Sequence, residues 1–186
     1  MKEYFINLNE TVKKYFKVLS DEIPDFLYDY INTPAMQRIG KIGCGCGTDY
    51  TKIFQNKFFY SNLDHSIGVA LIVWNFTKDK KQTLAGLFHD ISTPVFKHCI
   101  DFMNGDHETQ ESTEELTTYM IKNSKEIMSL LYRNPRGRYV SPRRLICALR
   151  RKSAGSRPTN GFHSHSFCGF LRFSLMMPCF FSCFFY

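Results

Sequence analysis

The chain has 186 residues and no acidic side chain beyond Glu126. All 17 Asp and Glu lie at or before that position, so the ten basic side chains of residues 127–186 have no acidic neighbour in sequence. The net charge of +7 therefore does not describe the whole chain. Residues 1–126 hold 14 basic and 17 acidic residues, a net of −3, and the remainder carries +10. An evenly basic chain would point to nucleic acid; a slightly acidic body with a basic extension does not. Arginine is nearly missing from the body as well: Arg38 stands alone there beside 13 Lys, whereas residues 127–186 hold nine Arg and one Lys.

Other features are also lacking. The seven Cys form no CxxC pair, and their odd number and irregular spacing argue against a disulfide framework or a zinc ribbon. The run Gly43-Cys44-Gly45-Cys46-Gly47 reads as a glycine-rich turn rather than a metal or redox site. His163 and His165 have no carboxylate or thiolate companions and read as no metal site. No apolar stretch follows Met1, so no secretory leader is expected, and reduced thiols and a cytoplasmic location are the expectation. The longest apolar run of the body, Ile67–Trp74, is too short for a bilayer. The Phe- and Cys-rich end, 167–186, is interrupted by Arg172 and Pro178, so no membrane partner is expected. No strand pattern of any length and no internal repeat is visible.

What is present is helical periodicity. Tyr4, Phe5, Leu8, Val12, Phe16 and Leu19 recur at three- and four-residue steps, which predicts one amphipathic helix over 3–19. A short helix is expected over 25–31. Another should start at Pro34, in its first turn, with Met36, Ile39 and Ile42 on one side and the glycines from Gly40 onward ending it. Residues 48–60 read as a hairpin or irregular loop. Ser61 and Asn62 are candidate caps of a helix reaching Thr77. Helices are then expected over 80–91, 94–101, 107–121 and 124–132. The fold class is all-α, in the form of a helical bundle over 1–132 with an irregular tail over 133–186. Residues 151–166 are too rich in Ser, Gly, Pro and Arg to bury a core.

Four of the six His lie in the body, each near a carboxylate: Asp64-His65, His89-Asp90, His98 with Asp101, and Asp106-His107-Glu108. His65 opens one helix and His89-Asp90 closes the next. If a turn at Asp79-Lys80 makes these helices antiparallel, two imidazoles and a carboxylate converge. Such a mixed set suits Mn²⁺, Fe²⁺, Zn²⁺ or Ni²⁺, with Mg²⁺ a further candidate. His98 and Asp101 are one helical turn apart and can share a face.

The segments Asp64-His65-Ser66-Ile67-Gly68-Val69-Ala70, Leu84-Ala85-Gly86-Leu87-Phe88-His89-Asp90, Thr93-Pro94-Val95-Phe96-Lys97-His98 and Gly105-Asp106-His107-Glu108, in that order, resemble the HD-domain phosphohydrolases. The branch they are most similar to is that of the deoxynucleoside-triphosphate triphosphohydrolases, whose lead-in is also resembled by Met36–Gly43. The resemblance covers about residues 30–130. It implies an HD-type helical bundle in which His65, His89 and Asp90 are metal ligands. It implies that His107 acts near the phosphates as general acid or electrostatic stabiliser, that Asp101 orients a catalytic partner, and that His98 lines the pocket. Three positions depart from the family pattern. Asn62 stands where an arginine is usual, Thr93 where a histidine is usual, and no Asp follows Asp106 to serve as the last metal ligand.

The expected function is a metal-dependent phosphohydrolase in which an activated water attacks a phosphoester, with a nucleotide as the expected small-molecule partner and a divalent metal as cofactor. The alternative is a truncated or degenerate HD protein without turnover that binds nucleotide or metal. A nucleic-acid binder driven by the basic tail is the third reading, and nucleic acid is not the expected partner. Self-association is left open. The simultaneous loss of acidic residues, of Lys and of helical periodicity near Tyr132 suggests a change of reading frame or a fusion, so that the tail is not expected to pack.

Overall fold

The computed structural model of the chain describes residues 3–45, 59–96, 103, 111–133 and 145. Eight helices make up the described part: α1 (Glu3–Ile6), α2 (Glu10–Leu19), α3 (Phe26–Ile31), α4 (Pro34–Ile39), α5 (Asn62–Thr77), α6 (Lys80–Leu87), α7 (Glu111–Asn123) and α8 (Lys125–Tyr132). Among the described residues there is no strand, only an isolated antiparallel bridge between Gly43 and Ser61. The architecture is all-α, as the periodicity predicts. No helix among these residues is long and apolar enough to cross a membrane.

The expected single helix over 3–19 is in fact two. The chain breaks between Ile6 and Glu10, and Asn9 caps α2 by accepting from the Thr11 backbone N–H. An asparagine side chain competes with the helical backbone for hydrogen bonds, and periodicity does not register that competition. The helix expected over 80–91 ends at Leu87, and Phe88 through Ser92 form turns. Pro94–Phe96 are non-helical, and the rest of the helix expected over 94–101 lies outside the described residues, as does most of the 48–60 stretch. Pro34 does open α4 in its first turn, and Met36, Ile39 and Ile42 are all buried.

Helix α5 is the axis of the fold. It packs against α6 along most of its length, and against α2 and α4, while α3 and α7 pack on α8. Its sequence is apolar almost all round, and ten of its 16 residues are buried. That is what a helix surrounded by others requires. Burial of each large apolar side chain, such as Leu63, Ile67, Leu71, Leu84 and Phe88, contributes about 1.5–3 kcal/mol. Lys78 turns the chain with a left-handed φ of 49°, and Asp79 caps α6 by accepting from the Gln82 N–H. The two helices pack closely at Gly86: a Cβ there would lie in van der Waals contact with the Ala70 Cα and the Val69 and Val73 methyls at 3.4–3.5 Å. Leu145, beyond the expected domain end, is fully buried and belongs to the same apolar core.

Candidate metal centre

The site begins with a helix start. Ser61 lies before α5 in extended conformation, and its hydroxyl accepts from the Asp64 N–H while the Asp64 carboxylate accepts from the Ser61 N–H at 2.8 Å. This reciprocal capping fixes the first turn of α5. His65 follows in the next position. The bridge from Gly43 to Ser61, with Cys44 N–H donating to the Tyr60 carbonyl and Asn62 N–H to the Ile42 carbonyl, sets where this helix start lies. Tyr4 of α1 closes the arrangement by donating to the other Asp64 oxygen at 2.7 Å. Burial, then the facing Asp64 charge, pushes the Tyr4 hydroxyl well above the usual tyrosine range.

The antiparallel α5–α6 pair brings His65 against the turn after α6. The His65 and His89 rings meet edge-on with centroids 5.2 Å apart. The Asp90 Oδ2 lies 3.4 Å from His89 Nε2 and 3.9 Å from His65 Nε2. One donor atom from each of His65, His89 and Asp90 lies within 4.8 Å of the others, a group able to hold a metal ion. His65 and His89 are largely buried, while the Asp90 side chain is 29% exposed, so the cluster opens toward solvent through the carboxylate.

The chemistry of this donor set fits a cation. His89 Nδ1 is 2.7 Å from the Gly86 carbonyl, which can only accept, so Nδ1 carries the proton. In the neutral ring the Nε2 lone pair then faces the Asp90 carboxylate, an electron-rich pairing that a cation between them makes favourable. A backbone carbonyl holding the outer ring nitrogen is the usual way a ligating histidine is oriented.

The turn that carries His89 and Asp90 is held from four helices. Gly86 of α6 holds His89. Arg38 of α4 donates from Nη2 to the Ile91 carbonyl at 2.6 Å. Asn62 of α5 approaches Asp90 Oδ2 with its Nδ2 at 3.5 Å. Ser92 and Thr117 of α7 share a buried hydroxyl–hydroxyl bond of 2.7 Å. Burial lowers the Arg38 guanidinium from its ordinary value. Arg38 and Asn62 thus hold the turn beside the candidate centre, a role that the sequence had assigned to neither. The signals in the sequence were that Arg38, within the Met36–Gly43 lead-in, is the sole arginine of the body and that Asn62 stands where the resembled pattern has an arginine.

Of the sequence candidates, His65, His89 and Asp90 are brought together. His98, Asp101 and His107 lie outside the described residues. Comparison with protein-family models finds no match, and no solved structure matches the chain. Among curated proteins the chain is similar to "Uncharacterized protein MG461" of Mycoplasma genitalium, 28% identical over 158 residues, covering 77% of this chain and 35% of that protein. The chain thus spans about a third of the length of the curated relative it matches.

Proposed function

We propose that the chain is a metal-dependent phosphohydrolase of HD type whose cation is held by His65, His89 and Asp90. The observation that carries this reading is the convergence of those three side chains at the mouth of one helix pair, in the order and with the flanking residues that resemble that family. A divalent cation bound there supplies Lewis-acid polarisation of a phosphoryl oxygen and acidification of a water. The chain's own residues do the rest. The Gly86 carbonyl keeps the His89 proton on Nδ1. Asp90 is the most exposed of the three side chains, and substrate approach is proposed from its side. His107 is assigned general-acid or electrostatic assistance, with Asp101 orienting and His98 lining the pocket, on the strength of the resemblance alone. The proposed substrate is a small phosphoester, in the first instance a nucleotide, and the proposed location is the cytoplasm.

The experiment is metal content and turnover together. Purified full-length protein should carry a transition metal, or take up Mn²⁺ when titrated, and His89→Ala should lose it. Full metal content in that variant sinks the assignment. A second reading, binding without turnover, is favoured by one observation: no Asp follows Asp106. Hydrolysis across a nucleotide panel that depends on both Mn²⁺ and His65 rejects it.

A further inference from the structure

We infer that Asn62 is a fourth protein ligand of this centre, through its carboxamide oxygen. The inference rests on the metal reading above and concerns a residue marked in the sequence only as a candidate cap and as a departure from the resembled pattern. Asn62 is fully buried in the first turn of α5, three residues before His65, so both side chains leave the same face of the helix. Its carboxamide lies beside Asp90 Oδ2, the atom on which both imidazole Nε2 atoms converge.

Two details point to a ligand. The Nδ2 to Oδ2 separation is 3.5 Å, the far edge of a hydrogen bond, so the amide is weakly held in that orientation. Its Oδ1 is buried and has no hydrogen-bond partner among the described residues. Leaving such an oxygen dry and unpaired costs about 1–3 kcal/mol. The two ends of a carboxamide are nearly equal in size. Turning it over places the oxygen where the nitrogen now sits, beside Asp90 and facing the candidate cation site, and moves the amino group to the place of the unpaired oxygen, so what the turn gains is the bond to a cation. Oxygen of a neutral amide is an accepted ligand for hard and borderline cations. The donor set becomes two imidazole nitrogens, one carboxylate oxygen and one amide oxygen. It carries a single negative charge, so a divalent ion keeps more of its charge for an anionic substrate than a second carboxylate would allow.

The test uses the full chain stripped of metal and titrated with Co²⁺ and Mn²⁺, following binding heat and the Co²⁺ visible spectrum. Asn62→Leu removes both the oxygen and the amide protons; Asn62→Asp keeps an oxygen ligand and abolishes the donor. The expected result is a loss of at least about tenfold in affinity with an altered Co²⁺ spectrum for Asn62→Leu. Asn62→Asp should bind at least as tightly as the parent, with a parent-like spectrum. Parent-like affinity and spectrum in Asn62→Leu, while His89→Ala loses the metal, overturns the Asn62 assignment and leaves the three-residue centre standing. If Asn62→Leu does not fold by circular dichroism, weaker binding by Asn62→Asp overturns it in the same way. A parent protein that binds neither ion overturns both readings.

Discussion

Two aspartates stand at the ends of the same helix pair and do opposite work. Asp64, at the start of α5, is buried and accepts from the Ser61 N–H, the Ser61 hydroxyl and the Tyr4 hydroxyl at 2.6–2.8 Å. Asp90, in the turn after α6, is partly exposed, and among the described residues two imidazole Nε2 atoms and a carboxamide nitrogen lie 3.4–3.9 Å from its Oδ2. Both sit next to a histidine in sequence, as Asp64-His65 and His89-Asp90. Sequence adjacency therefore does not tell a structural carboxylate from one placed in a group able to hold a cation. The geometry around each does: Asp64 holds three short bonds and is committed to the fold, whereas Asp90 shares one locus with the His65 and His89 rings, a group able to hold a cation.

The comparison can be broken at either end. Asp64→Ala removes a helix cap and strands the Tyr4 hydroxyl and the Ser61 N–H. It should cost roughly 3 kcal/mol of stability in a urea titration. Metal affinity of the fraction that remains folded should change far less. Asp90→Asn should invert that pattern, lowering metal affinity by about a hundredfold or more, near 2.7 kcal/mol, while moving the unfolding midpoint of the metal-free protein little. Equal effects of the two substitutions on both readouts would erase the distinction.

Smaller changes sharpen it. Tyr4→Phe removes a single bond to Asp64 and should cost about 1 kcal/mol with metal binding intact. It should also flatten the alkaline limb of the stability curve. Burial pushes the Tyr30 hydroxyl up to about 12, and burial with neighbouring charge pushes Tyr4 and Tyr60 well above the usual range. The unfolded chain loses these protons near pH 10 while the native state keeps them. Stability present below about pH 10 is then lost as pH rises toward and past 12. Denaturant midpoints measured from pH 8 to 11 should fall along that limb, more gently in Tyr4→Phe; a parent curve flat to pH 11 would contradict the burial of these hydroxyls. The smallest expected effect is Ser92→Ala, which breaks the link between the turn and Thr117 for about 1 kcal/mol or less.

Much of the frame was legible. Pro34 opening α4, Ser61 as a cap, and the antiparallel α5–α6 pair all follow from local chemistry, because a cap or a turn is decided within four residues. The break between α1 and α2 was missed because Asn9 acts on the backbone, not on the apolar stripe that predicted one helix. The early end of α6 moved His89 and Asp90 off the helix and into a turn, where adjacent side chains reach one point more easily than within a regular helix.

By itself the sequence determined the helical class, the positions of most helix starts, and the residue types that meet at the candidate centre. Those properties depend on neighbours one to four residues apart. Only the tertiary structure decided which polar groups serve the fold and which meet at the candidate centre. The deciding contacts join Tyr4 to Asp64 across 60 residues, Arg38 to Ile91 across 53, and Asn62 to Asp90 across 28. Contacts of that span exist only once α5 has been packed between α2, α4 and α6, since helix packing rather than local propensity brings the partners within hydrogen-bonding reach.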